Sequence, residues 1–504
     1  MTIQTRLSPA EPTQILSLAV DLLTIATGFD ANDAKSTFDP LLAAIDTALG
    51  GQLRALFNEE RFRGKPGQSV TLATLGKLGA RRVLFIGVGA EPESDQAAAR
   101  ALRFAGTAGR LAVRCSAKSM ALACPGILNA ANLLQSLAEG VLLGTYAFDR
   151  YFDKDDRVPV LLSDVQFCVT ADAALATTAF KRAQNTAAAV SNARDMVNEP
   201  AEVMTPTRMA EIATEIASRG SMQIQVLDRD ACEKEGMGLY LAVGRGSAQP
   251  PKFIHMTYKH PAPKKRIVLV GKGVTFDSGG HSLKPSDGML DMKTDMAGAA
   301  AVISAMQAIA AEQLAVEVHA IAACCENMLS GSAYRLGDVY RSRAGKTVEI
   351  NNTDAEGRLT LADALSFGID LKPDQIFDFA TLTGAIVVAL GSHTAGVMTN
   401  ADDVRTNFLS AASATGEPMW PMPLPSRLKE QLKSEVADMK NTGERWGGAL
   451  TAGLFLKEFV GNTPWVHVDL AGPSRADKDF GHVARGGSGF AVATILNYLR
   501  GISG

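Results

Sequence analysis

No uncharged apolar run in this sequence reaches the length expected of a membrane span. The best mimic, Ala297 to Ala311, is about 15 residues long and is interrupted by Ser304 and Gln307, short of the roughly 18 that a span needs. A basic excess is also missing. Fifty Lys and Arg against 53 Asp and Glu leave a formal charge of −3, which argues against a protein held to nucleic acid by bulk charge. One short basic run, Lys259 to Arg266 (KHPAPKKR), is the sole support for nucleic-acid contact, and a solvated loop is the better reading of it. Cysteine is sparse: Cys115, Cys124, Cys168, Cys232, Cys324 and Cys325 form no CxxC and no regular spacing. A disulfide framework is therefore excluded, and a reduced, cytoplasmic chain is expected. The opening MTIQTRLSPAEPTQI has no basic start followed by an apolar stretch, so a secretory signal is not expected. Repeats and low-complexity tracts are absent.

What is present is the composition of a soluble globular protein, 46% hydrophobic and 20% charged over 504 residues, long enough for roughly two to four domains. Forty-six glycines and abundant alanine between short aliphatic runs suit an α/β protein with many turns. Buried strands are predicted at Arg82–Val88, Val158–Leu162, Ile267–Val270, Val316–Ala322, Ile376–Ala380 and Val466–Leu470, with helical stretches between most of them. From Asp172 to Val197 there is no Gly or Pro, and Leu175, Ala179, Ala183, Thr186, Val190, Ala193 and Val197 step by three or four. That stripe predicts a helix with Asp172 as N-cap and Pro200 as a stop. At about 25 residues it would span close to 38 Å, long enough to join two domains, although a long helix inside one domain reads the same way. The expected division is an N-terminal α/β domain over 1–171, a linking helix over 172–199 and a catalytic domain over 200–504.

Several familiar signatures fail. Gly87-x-Gly89 follows a strand as a dinucleotide-binding turn would, but Pro92 replaces the third glycine. Phe276 spoils Gly271-Lys272-Gly273 in the same way, and Tyr340 stands where a phosphate loop ending at Gly345-Lys346-Thr347 needs its first glycine. There is no GxSxG elbow, no HExxH and no histidine pair at ligand spacing.

Two stretches carry more polar chemistry than a core needs. One runs VGKGVTFDSGGHSLKP from Val270 to Pro285 and continues to Asp295; the other is NTDAEGRL from Asn352 to Leu359. The first begins at the C-terminal end of a predicted strand, where open α/β sheets place ligand sites. Asp354 and Glu356 are two apart, so an extended segment points both carboxylates the same way. With Asp277 and Asp295 they make four carboxylates, which together would require cations, and oxygen ligands favour Mg²⁺, Mn²⁺ or Zn²⁺. Each piece also has a plain structural reading. Thr353 and Glu356 fit a capping box, Asp295 fits an N-cap for a helix from Met296, and Lys272 and Lys284 fit solvated loop charges.

These stretches resemble the cytosolic leucyl aminopeptidase family, the hexameric two-metal M17 type, for which NTDAEGRL is a specific hallmark. GMGLYLAVGRGSAQPPKFI, ENMLSGSAYRLGDV, FATLTGAIVVALG, ERWGGALTAGLFLKEF and WVHVDLAGPS resemble family segments too, so the likeness covers most of residues 198 to 490, whereas the first 170 match only in general character. The resemblance implies a macro-like N-terminal α/β domain, a long helix and a C-terminal α/β/α catalytic domain with a mixed sheet. It implies metal ligands at Lys272, Asp277, Asp295, Asp354 and Glu356, with Asp277 and Glu356 bridging two divalent ions (Mn²⁺ or Zn²⁺) and Lys272 ligating only as a neutral amine. Lys284 would stabilise the oxyanion, and Arg358 would hold a bicarbonate that relays the proton. Met292, Asn352, Thr381, Leu382 and Gly384 would bind the substrate. The implied reaction is release of N-terminal, preferably leucine-like, residues from peptides with a free amino group, by attack of a metal-bridging water. The implied assembly is a homohexamer. His281 departs from the family pattern, and so do Leu290 and Thr294 in the segment around Asp291.

Overall fold

The computed structural model describes residues 3–30, 32–33, 36–89, 97–124 and 130–504. Pro92, in the failed dinucleotide turn, lies outside the described residues. The chain forms two compact units. One comprises Met1–Ala187, Ala414–Gly416 and Lys478–Arg485; the other comprises Ala188–Ser413, Glu417–Asp477 and Gly486–Gly504.

The first unit is built on β1 (Gln4–Leu7), β2 (Leu22–Thr27), β3 (Ser69–Ala73), β4 (Arg82–Gly87), β5 (Ser119–Ala123) and β6 (Asp164–Cys168), in the order β1-β6-β5-β2-β4-β3. All pairings are parallel except β3 with β4. Because side chains alternate along a strand, Leu22 and Ala26 of β2 enter one apolar cluster while Leu23 and Ile25 enter the other. Helices Ala97–Arg114 and Leu134–Gly144 supply residues to the first cluster, and helices Pro40–Ala48 and Leu53–Glu59 to the second. One strand expectation fails here. Residues 158–162 are irregular, and the strand is β6, directly after them. Pro159 has no backbone N–H to give to a ladder, whereas β6 pairs on both edges, with β1 and β5.

The predicted long helix is present as Ala173–Asn198, and Asp172 Oδ1 accepts from the Leu175 backbone N–H at 2.7 Å at its start. The division between the two units falls inside it, after Ala187.

The second unit holds an eight-stranded mixed sheet. Its strands are β7 (Gln223–Leu227), β8 (Lys252–Lys259), β9 (Arg266–Asp277) and β10 (Glu317–Asn327), followed by β13 (Gln375–Ala380), β14 (Ala395–Thr399), β15 (Met419–Pro421) and β17 (Trp465–Asp469). The strands β11 (Val339–Arg341), β12 (Thr347–Glu349) and β16 (Met439–Lys440) form a small separate sheet. The large sheet runs β15-β14-β17-β13-β9-β10-β8-β7. β9 lies at its centre, parallel to β13 and β10 and almost wholly buried, which is why Ile267–Val270 reads as an unbroken apolar run. Helix Gly357–Asp370 contributes Leu359, Leu361, Ala362 and Leu365 to the core on one face. The apolar helix Ala297–Ala311 is buried along nearly its whole length. The longer stretch Ser286–Ala311 is apolar enough by composition to cross a membrane, but 83% of its most apolar window lies inside the protein.

The basic run between β8 and β9 is partly neutralised within the fold. Glu317 of β10 takes Lys259 at 3.1 Å and Arg266 at 2.8 Å.

Candidate metal centre

Strand register builds the site. The pairing of β13 with β9 ends at Phe379 and Gly271, so the chain leaving β13 runs beside Lys272. On the other side β10 follows β9 further, to the pair Asn327 and Asp277. Lys272 therefore stands midway along the central strand where β13 leaves it, and Asp277 at its C-terminal end, still paired to β10.

Lys272 is 3% exposed, and its ammonium meets Asp295 Oδ1 at 2.7 Å, Glu356 Oε1 at 2.7 Å and the Thr381 carbonyl at 3.0 Å. Lys284 meets Asp277 Oδ2 at 2.8 Å and Asp354 Oδ1 at 2.5 Å. Carboxylate oxygens of Asp277, Asp354 and Glu356 all lie within 4.8 Å of one another. The five residues assigned to metal by resemblance thus meet in one place, with Lys284 among them. Neither lysine is a solvated loop charge. Helix Ala297–Ala311 has Met296, not Asp295, at its N-cap, and Glu356 makes no capping bond at the start of helix Gly357–Asp370. A Cβ at Gly357 would lie 2.5 Å from Lys272 Cε and 2.7 Å from its Nζ, so any larger residue there would have to displace the lysine.

Burial of the carboxylates, together with the negative charge left by four of them against two ammonium groups, moves every shifted group in the cage toward its protonated form. For Asp295 burial is the main cause, Lys272 opposes it, and Glu356 and Asp277 add to the rise. Asp277 and Asp354 are likewise raised, first by burial. Burial alone would lower Lys272 and Lys284, but the neighbouring carboxylates outweigh it and hold both above the ordinary lysine value. Asp295 Oδ2 and Glu356 Oε2 are buried and meet no hydrogen-bond partner among the described residues. Buried carboxylate oxygens left without partners are costly. Together with the excess negative charge, they fit hard or borderline divalent cations.

Arg358, 6% exposed, donates through Nη1 to the Asn441 carbonyl at 2.7 Å, while its buried Nε has no partner among the described residues. Burial lowers it to about 10, with Glu356 and Asp469 opposing. Of the residues assigned to substrate, Thr381 donates from its hydroxyl to Asp295 Oδ1 at 2.7 Å, and the Asn352 side chain accepts from the Asp354 N–H at 2.8 Å. Leu382 is half-buried against the core, Met292 is half-buried in the turn Met292–Thr294, and Gly384 opens the helix Gly384–Leu390 at an exposed position. His281 is exposed. Asp291, in the divergent segment, forms an ion pair with Arg475.

Residues with no signature of their own hold the cage together. Asn327 Nδ2 donates to Asp277 Oδ1 at 2.8 Å and to the Thr353 carbonyl at 2.9 Å, tying the two motif stretches to each other. The Thr353 hydroxyl donates to the Gly279 carbonyl at 2.7 Å and accepts from the Ser282 N–H at 2.8 Å. Asn441 accepts from the Asn351 N–H and donates to the Asn352 carbonyl, besides receiving Arg358. Asn327 lies in the ENML segment at a strand end, which is a weak local signal; Asn441 has none.

A mixed α/β sheet with carboxylates and lysines caged beside its central strand has the donor set of a divalent-cation site. The catalytic-domain profile of the cytosol aminopeptidase family matches residues 191–496, and that family's N-terminal-domain profile matches residues 28–155. The chain belongs to the cytosol aminopeptidase family. It is 41% identical to a probable cytosol aminopeptidase of Thermosynechococcus vestitus, over 98% of this chain and 99% of the relative. A probable cytosol aminopeptidase of Persephonella marina is 42% identical over 91% of this chain and 93% of the relative. Among solved structures, a mutant of tomato leucine aminopeptidase superposes with a TM-score of 0.88 at 37% identity, covering 99% of this chain and 96% of that one. The bottromycin maturation enzyme BotP in complex with Mn superposes with a TM-score of 0.82 at 34% identity, covering 96% of this chain and 100% of that one.

Proposed function

We propose that Lys272, Asp277, Asp295, Asp354 and Glu356 hold two divalent cations, Mn²⁺ or Zn²⁺, and that the protein removes N-terminal residues, leucine-like ones preferred, from peptides with a free amino group. The observation that carries this reading is the pair of buried oxygens, Asp295 Oδ2 and Glu356 Oε2, that meet no partner among the described residues, in a cage whose own lysines leave it negative. When bound, such cations anchor an amine, polarise a carbonyl and make water nucleophilic at neutral pH.

The chain's own groups do the rest. Lys284, already among the carboxylates at 2.5 to 2.8 Å, donates to the oxygen that gains charge as the peptide bond is attacked. Arg358 keeps its proton and so cannot be the base. Its Nε, without a partner among the described residues, and its Asn441-held guanidinium suit an anion such as bicarbonate, which would accept and pass on the proton. Lys272 binds a cation only after losing its proton, which two neighbouring dications would drive. Met292, Asn352, Thr381, Leu382 and Gly384 shape the pocket for the first side chain. A cytoplasmic location follows the names of the relatives, and a homohexamer follows the family resemblance; sedimentation of the full chain tests the latter. The decisive experiment strips the protein of metal and follows leucine amide hydrolysis on re-adding Mn²⁺, Zn²⁺, Co²⁺ or Mg²⁺. Turnover restored by at least one supports the proposal, and turnover with none of them sinks it.

A further inference from the structure

We infer that Asp469 is a positioning residue: it sets the loop Thr381–Gly384 against Lys272 and Asp295, and so couples the pocket for the first side chain to the Lys272 end of the cage. This rests on the reading above, in which Lys272 and Asp295 hold a cation. Asp469 ends β17 opposite Ala380, the last residue of β13, and is 1% exposed. Its hydrogen bonds go to the chain that leaves β13 and to its own turn, with His467 and Arg358 near enough to interact with its charge. Oδ1 accepts from the backbone N–H groups of Leu382 at 3.1 Å, Thr383 at 3.4 Å and Ala471 at 3.3 Å, and Oδ2 accepts from the Thr383 hydroxyl at 2.7 Å. That hydroxyl in turn accepts from the Ile386 N–H at 3.2 Å, starting the helix Gly384–Leu390.

The loop held this way reaches the cage through one residue. The Thr381 carbonyl accepts from Lys272 Nζ at 3.0 Å, and its hydroxyl donates to Asp295 Oδ1 at 2.7 Å. Both contacts fall on Lys272 and Asp295, two of the five residues proposed to hold the cations, while Asp354 and Lys284 make their contacts elsewhere. A buried carboxylate is costly to keep, and here its bonds all serve the geometry of these loops. Partners behind metal ligands typically alter metal affinity by about 10- to 100-fold when removed.

The test is Mn²⁺ binding by metal-stripped full-length protein, read as equivalents per chain by equilibrium dialysis, alongside KM for leucine and alanine amides. Wild type is expected to take two equivalents. Asp469→Ala should keep one and weaken the other by about 10- to 100-fold, with the preference for leucine over alanine reduced. Asp469→Asn should recover both equivalents, because its amide oxygen still serves the three backbone donors and the Thr383 hydroxyl can turn to accept. An Asp469→Ala protein that holds both equivalents as tightly as wild type overturns the inference. If that variant does not fold, Thr383→Val is measured instead: the same split in smaller measure supports the inference, and unchanged affinities overturn it. Fewer than two equivalents in wild type would refute the two-cation reading itself, so the two failures are distinct.

Discussion

Lys272 Nζ lies 2.7 Å from Glu356 Oε1, while the other oxygen of Glu356 is buried without a hydrogen-bond partner among the described residues. One carboxylate therefore faces a proton-bearing amine on one side and an unmet demand for positive charge on the other. The same division recurs at Asp295, whose Oδ1 takes Lys272 and whose Oδ2 takes nothing described. The lysine and the orphan oxygens belong to one electrostatic balance that divalent cations complete.

Lys272→Arg separates charge from coordination. The guanidinium retains a positive charge but has no lone pair to offer a metal. The variant is expected to bind one Mn²⁺ per chain where wild type binds two, with hydrolysis of leucine amide falling steeply. Metal analysis after dialysis checks it, and normal occupancy of both positions would remove Lys272 from the ligand set.

Asn327→Ala removes one of the links between the two motif stretches. Asp277 Oδ1 would retain only the Gly279 N–H, and the Thr353 carbonyl would keep the Tyr334 hydroxyl at 2.7 Å. Loss of a buried bond to a charged group costs about 1 to 3 kcal/mol. The expected result is a lower unfolding midpoint in urea, with a larger deficit when Mn²⁺ is present, since the variant also loses binding energy for the metal.

Much of this was legible in the sequence. The proposed ligands sit in two short stretches whose spacing follows a strand end and a loop, so local pattern and family likeness both point to them. β9, β13 and β17 are buried on both faces and read as apolar runs. Short or polar strands such as β7 and β15, and the two-residue β16, have too little periodicity to read. Val158–Leu162 looked like a strand because its side chains are apolar, yet Pro159 cannot donate to a ladder. Asn441 and Asp469 were silent for another reason. Their roles rest mainly on hydrogen bonds to residues more than 80 positions away, and a lone Asn or Asp leaves no local mark of such partners.

Lys284→Ala tests the transition-state assignment. If Lys284 stabilises the oxyanion, kcat for leucine amide falls by about 10²- to 10³-fold while KM changes little. A change confined to KM would place Lys284 in ground-state binding.

Asp363 gives a pH test remote from the cage. It is fully buried in helix Gly357–Asp370, where Oδ2 accepts from the Leu239 and Tyr240 N–H groups at 2.9 Å each and Oδ1 from the Arg343 N–H at 2.7 Å. Burial pushes its carboxyl up to about 7, against the pull of those three bonds. In the unfolded chain an Asp titrates near 3.9. A carboxyl raised on folding contributes stability that is complete below about pH 4 and is lost as the pH climbs through about 7. The loss amounts to at most about 4 kcal/mol. Asp363→Asn does not titrate, so its stability should lack this component, although one amide N–H must then face a backbone donor at a fixed cost of about 1 to 3 kcal/mol. Urea unfolding of both proteins from pH 4 to pH 8 measures the difference. The wild-type advantage should shrink steadily across that window and level off above pH 7; a difference that stays constant with pH would mean that Asp363 is ionised throughout, with its three bonds outweighing its burial.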